Sequence, residues 1–177
     1  MTGPRLGDRQ RLSWLRLIRT PNVGPATFRD LINRFGSADT AIERLPELVR
    51  GFGGSQPRVP SLSEAEAEMD VALRCGARFV AVGEPGYPPL LRQVEAPPPL
   101  LAVRGETSVF TLPAAAIVGA RNASVVGCRM ARSLAAGLGE AGYSVISGLA
   151  RGIDTAAHQG SLATGTVAAL AGGLDRP

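Results

Sequence analysis

Ser144-Val145-Ile146-Ser147-Gly148-Leu149-Ala150-Arg151-Gly152-Ile153-Asp154 runs from an apolar strand through a glycine-and-arginine turn into a helix. Two further apolar runs, Ala114 to Val118 and Thr166 to Ala171, lead into turns of the same kind: Gly119-Ala120-Arg121 and Gly172-Gly173-Leu174-Asp175-Arg176. Helical stretches separate the runs, and this β-turn-α-turn-β order predicts parallel strands in an α/β sheet. The turns leaving such strands gather along the carboxyl edge, where ligands bind. Three neighbouring turns, each offering bare backbone and a guanidinium, make an anion site suited to phosphates.

Each turn has its own chemistry. In the first, Gly119 permits a sharp exit from the strand and Ser124 is placed to cap the next helix. Free amides at that helix start attract an anion, with Arg121 supplying charge and Asn122 a neutral donor. The turn is not GxGxxG, so the dinucleotide fingerprint is absent. In the second turn Ser147 can donate its hydroxyl, Gly148 and Gly152 expose backbone, and Arg151 projects between them. Asp154 falls in the first helical turn, where it complements the dipole. His158, four residues on, is placed to hydrogen-bond Asp154. The third turn adds Gly172, Gly173 and Arg176. Taken singly, each is also a plain turn whose arginine points to solvent; three on one edge favour anion binding.

The 177 residues allow one large domain or two small ones, and 45% hydrophobic content supports a buried core. No apolar run approaches the ~20 residues that span a bilayer. Arg5, Asp8, Arg9 and Arg11 are followed by nothing like a signal peptide. The chain reads as soluble and cytoplasmic, with no membrane partner. Cys75 and Cys128 are too far apart for a CxxC motif, and one histidine leaves little for a metal site or a Ser-His-Asp triad. No catalytic residue, cofactor or metal is expected. The net charge of +4 hides an asymmetry: residues 1–60 carry ten arginines against five acids, and residues 61–70 carry Glu64, Glu66, Glu68 and Asp70. Every cation is arginine. A GC-rich genome accounts for such a bias, although arginine also suits bidentate phosphate contacts.

Residues 8–75 read as short helices. Phe28, Leu31, Ile32 and Phe35 form one apolar stripe at i, i+3, i+4 and i+7. Gly36-Ser37 ends that helix, and Ser37 can cap the next. Ser63 with Glu66 reads as a capping box opening a helix that stops at Gly76. Asn22-Val23-Gly24-Pro25 resembles the hairpin of helix-hairpin-helix modules, with Asn22 in place of the usual second glycine. A purely structural helical domain fits that segment equally well. From residue 77 the pattern turns strand-like, Arg78-Phe79-Val80-Ala81-Val82, and a proline-rich passage leads to a strand over Leu100 to Val103. The first helix of the βα repeat is expected from Ser124 to Ala141, packing Val126, Met130, Leu134 and Leu138 on the sheet. The chain stops one turn beyond its third parallel strand and reads as part of a longer protein.

From Ser147 to Asp154 and on through Ala157-His158-Gln159-Gly160-Ser161-Leu162, the chain closely resembles the DprA/Smf family, DNA processing protein A. Tyr87-Pro88-Pro89-Leu90-Leu91 with Pro98-Pro99-Leu100-Leu101, Val118-Gly119-Ala120-Arg121 and Ala171-Gly172-Gly173-Leu174-Asp175 match further landmarks in order. Ala120 stands where the family usually has serine. The resemblance implies a small all-α, sterile-alpha-motif-like (SAM-like) domain over 1–76. It is followed by an extended Rossmann-like, DNA-binding domain over 77–177, incomplete at its C-terminal side. It also implies a recombination mediator that binds and protects single-stranded DNA and helps load the RecA recombinase in natural transformation. Arg121 would hold a DNA phosphate, with Ser147, Gly148 and Arg151 lining the same pocket. The homodimer and RecA contacts of the full-length protein would lie beyond Pro177.

Two other readings compete. A nucleotide-cleaving hydrolase on a related lysine-decarboxylase-like Rossmann fold would carry Pro-Gly-Gly-x-Gly-Thr and a following glutamate. Here the turn is Ala171-Gly172-Gly173-Leu174-Asp175-Arg176, with neither. A helical scaffold whose Rossmann part only binds a partner is the third.

Overall fold

The computed structural model describes residues 5–51 and 57–174. Among them are six α-helices and five strands, divided into two compact units between Gly105 and Glu106.

The first unit holds α1 (Asp8–Ile18), α2 (Pro25–Phe35), α3 (Ala38–Gly51) and α4 (Leu62–Arg74), then β1 (Ala77–Ala81) and β2 (Leu100–Arg104). The apolar stripe of α2 is used as its spacing demands. Phe28 and Leu31 are buried with Leu17, Ala41 and Leu45, and Ile32 and Phe35 pack beside them. Trp14 meets Phe28 edge-on, ring centroids 4.9 Å apart. Gly36 ends α2 at φ +78°, and Ser37 Oγ accepts the Thr40 N–H at 3.1 Å to open α3. Asn22 takes the left-handed place in the α1–α2 turn at φ +66°, which its short polar side chain tolerates.

The capping box of α4 lies two residues before the expected pair. Ser61 Oγ accepts the Glu64 N–H at 3.2 Å, and Glu64 accepts the Ser61 N–H at 2.7 Å. Ser61/Glu64 and Ser63/Glu66 share the same spacing, and nothing in Leu62-Ser63 resists helix. The helix therefore propagates back as far as the residue after Pro60, gaining a backbone bond with each step.

β1 and β2 form an antiparallel pair, Ala77 opposite Arg104 and Ala81 opposite Leu100. Phe79 is buried with Leu15 of α1 and Ala65 of α4, which groups this pair with the helices. Just past β1, Glu84 lies inside the unit. Its carboxylate accepts the N–H groups of Leu6 and Ala81, each at 2.8 Å, and pairs with Arg11 at 2.8 Å. The side chains of Arg11 and Glu84 are 16% and 6% exposed. Burial alone pushes the Glu84 pKa up. The amides of Ala81 and Leu6 and the Arg11 guanidinium outweigh it and hold the group below the usual carboxylate range.

The second unit is a three-stranded parallel sheet in the order β3-β4-β5, with β3 Ala114–Ala116, β4 Ser144–Ser147 and β5 Thr166–Ala168. Helices α5 (Val125–Glu140) and α6 (Ile153–Ser161) make the crossovers. Ser124 caps α5 through the Gly127 N–H at 3.1 Å, and Gly142, at φ +85°, follows its end.

The face of α5 that packs is not the expected one. Val126, Met130 and Leu134 are 74%, 65% and 56% exposed; of that row only Leu138 reaches the core. The buried positions are Ala131, Ala135 and Gly139. α6 lies so close that a Cβ at Gly160 would overlap the Arg132 carbonyl, and one at Gly139 would overlap Thr164. Such a seam admits small residues and excludes Val, Met and Leu. Cys75, at the end of α4, and Cys128, in α5, are free and half-buried. No helix among the described residues is long and apolar enough to cross a membrane, and none of their His, Cys, Asp or Glu side chains gather as a metal cluster.

Candidate nucleic-acid interface

Register sets the three turns side by side. Ala116 lies opposite Ile146, and Ser147 opposite Ala168. Pairing continues past the strands through Ile117 N–H to Ile146 O at 3.0 Å and Ala169 N–H to Ser147 O at 2.9 Å. The chain therefore leaves all three parallel strands at one level.

The first two turns touch through their backbones. The Ile153 N–H donates to Ala120 O at 3.3 Å. Gly152, at φ +84°, rests against the carbonyls of Ala120 and Arg121, with no space for a Cβ. A Cβ at Gly119 would lie 2.7 Å from Ile153 Cγ1. Arg121 thus starts beside Gly152, the residue next to Arg151. Both arginines and Asn122 are exposed, and among the described residues neither guanidinium makes an ion pair or hydrogen bond.

Other candidates face inward. Ser147 is buried and donates its hydroxyl to Ile117 O at 2.7 Å. The Gly119 N–H donates to Asp154 Oδ1 at 3.3 Å, and the Gly148 N–H to Asp154 Oδ2 at 3.0 Å. Asp154 itself is 5% exposed. Two of the amides read from sequence as phosphate donors are therefore spent on the protein's own carboxylate. Ser124 remains at the exposed start of α5, and Gly172 and Gly173 are exposed in the third turn. Arg176 lies outside the described residues. Sequence reasoning gave Asp154 a dipole role and a bond to His158, and missed its hold on the two glycine amides. An acid at the second helical position straight after Arg-Gly, with bare glycines in both flanking turns, was the signal for that hold.

His158 does not bond Asp154, whose oxygens are taken. Its Nδ1 lies 2.7 Å from Thr166 Oγ1. That hydroxyl gives its hydrogen to Val145 O at 3.1 Å, so Nδ1 carries the ring proton and donates. Nε2 is buried without a hydrogen-bond partner among the described residues. Burial pushes the His158 pKa below 6.5, against the opposing pull of Asp154. The unfolded chain then binds the proton more readily than the folded one. This contribution to stability is full above the unfolded pKa and is lost as pH falls below it. The melting temperature is expected to drop between about pH 7.5 and pH 5.5, and His158→Gln to flatten that drop. Equal pH dependence in both proteins would place the titration elsewhere.

Known proteins resemble the chain in sequence and in fold. A family model for DNA recombination-mediator protein A matches residues 78–177, and one for the DprA-like N-terminal HHH domain matches residues 8–71. Protein Smf of Synechocystis is 28% identical over 187 aligned positions, covering 96% of this chain and 46% of that protein. A putative DNA processing protein DprA of Mycobacterium tuberculosis is 53% identical over 66 positions, 36% of this chain and 17% of the relative. The crystal structure of DNA processing protein A from Streptococcus pneumoniae superimposes with a TM-score of 0.69 at 22% identity, covering 97% of this chain and 60% of that one. The chain thus spans about half the length of the relative that it matches end to end. With a helical region followed by a parallel α/β sheet, and with both family models in sequence order, the chain belongs to the DNA recombination-mediator protein A (DprA/Smf) family.

Proposed function

We propose that Arg121 and Arg151 hold backbone phosphates of single-stranded DNA, and that the whole protein is a non-enzymatic recombination mediator. The observation that carries this reading is the pair of exposed guanidiniums, without an ion pair or hydrogen bond among the described residues, rooted in two turns that touch through their backbones. The touching turns fix the spacing of the two backbone positions, and the planar guanidinium fork matches phosphate oxygens. The identity of the anion comes from the family, whose named members include DNA processing proteins. Asn122, Ser124, Gly172 and Gly173 complete the rim. Protection of incoming strands, RecA loading and homodimer formation follow for the full-length protein on the same family grounds.

The test is a gel-shift series of full-length protein on single strands and duplex at several salt concentrations. Binding should favour the single strand. Each phosphate contact adds about −0.7 to the slope of log K against log salt, so the Arg121→Ala/Arg151→Ala double variant should flatten it by about 1.4. Near physiological salt its affinity should fall about tenfold. An unchanged slope would sink the assignment. The nucleotide-hydrolase reading has little chemistry behind it, because Asp154, which lies between the first two turns, has both oxygens engaged by backbone. Release of free base from nucleoside monophosphates would revive it.

A further inference from the structure

The crevice past the carboxyl ends of β3 and β4, between the turns that follow them, offers what ordinarily takes a terminal phosphate: glycine amides and a helix N-terminus. Here the crevice holds an anion already. The Gly119 and Gly148 amides converge from two turns on the two oxygens of Asp154 at 3.3 and 3.0 Å, and that side chain is buried. The start of α6 closes down on it. Ile153 fills the space beside Gly119, and Gly152 sits on the Ala120 and Arg121 carbonyls. A phosphate entering here would meet a carboxylate and no free donor from either glycine. Arg121 and Arg151 stand outside, open to solvent.

We propose that Asp154 is a built-in occupant of this crevice with two consequences. It is a positioning residue that holds the Arg121 and Arg151 turns at a fixed spacing. It also makes the site one for the phosphodiesters of a continuous strand, met from outside by guanidinium, and bars mononucleotides and terminal phosphates from the amides. The second consequence rests on the single-strand reading above; the first does not.

Backbone amide spectra of the 177-residue chain separate the two. Gly119 and Gly148 lie in exposed turns, yet their amides should exchange slowly with solvent, while that of Asn122 exchanges at the rate of an open turn. Addition of thymidine monophosphate should leave both glycine signals unmoved. In Asp154→Ala their exchange should speed up about tenfold, and thymidine monophosphate should now shift them. Oligothymidylates with and without a 5′-phosphate should bind the unaltered chain equally. Fast exchange at both glycines in the unaltered chain, or their displacement by the mononucleotide, overturns the proposal. Tighter oligonucleotide binding by Asp154→Asn does so too, since it would make the carboxylate a mere competitor. Should Asp154→Ala fail to fold, exchange and titration of the unaltered chain still decide. Slow exchange without any oligonucleotide binding would uphold the positioning role and defeat the single-strand reading.

Discussion

Arg11→Ala is expected to destabilise the first unit by about 3–5 kcal/mol, the cost of leaving a buried carboxylate without its cation. Glu84 is more deeply enclosed than Arg11, and two backbone amides already hold its oxygens. It cannot turn toward water when the guanidinium is gone. Arg11 also donates to the Leu6 and Phe79 carbonyls, so its removal leaves both acceptors without that donor. Urea unfolding followed by fluorescence of Trp14, the only tryptophan, reads this unit alone. The double variant Arg11→Met/Glu84→Gln should be less damaged than Arg11→Ala, because no charge remains inside. With the Glu84 pKa depressed, its stabilising effect is present above about pH 4.5 and fades as pH falls through the folded value. A loss under about 1 kcal/mol in Arg11→Ala would mean that the pair is solvated in solution.

Gly152→Ala is expected to cost the second unit about 2–4 kcal/mol, from two sources that add. At φ +84° and ψ −122° the backbone is in a region open to glycine and strained for any L side chain. The new methyl would also press on the carbonyls of Ala120 and Arg121, which are main chain and have no rotamer to escape into. Relief requires the first two turns to part, so phosphate affinity should fall together with stability. Thermal unfolding followed by hydrogen exchange of the β4 amides gives the size. Gly172→Ala is the control: a Cβ there has nothing within 4 Å, and stability should stay within about 0.5 kcal/mol. Equal melting of Gly152→Ala and the unaltered chain would contradict the observed contact between the turns.

What could be read from residues alone was whatever depends on local order. The apolar runs around Val145 and Val167, the stops at Gly36, Gly76 and Gly142, and the stripe Phe28–Phe35 state their role in period and punctuation. The parallel order of β3, β4 and β5 follows from helices between short apolar strands. What escaped was decided by neighbours distant in sequence. Val126, Met130 and Leu134 have a helical period, but the side of α5 that packs is chosen by Gly160, more than twenty residues later. The partner of His158 is Thr166 on the next strand, not the acid one turn back. Composition changes at residue 77, whereas the burial of Phe79 and Glu84 against α1 groups β1 and β2 with the helices. The arginines of the candidate site were visible as residues. That two glycine amides would be answered from within, by Asp154, was visible only in three dimensions.

Each compact unit carries one unpaired thiol: Cys75 in the first and Cys128 in the second. Maleimide dyes attached at these two sites would form a donor–acceptor pair without any engineered residue. Energy transfer between them, recorded on single molecules while an oligonucleotide is titrated in, would report whether the two units change their distance when a strand binds.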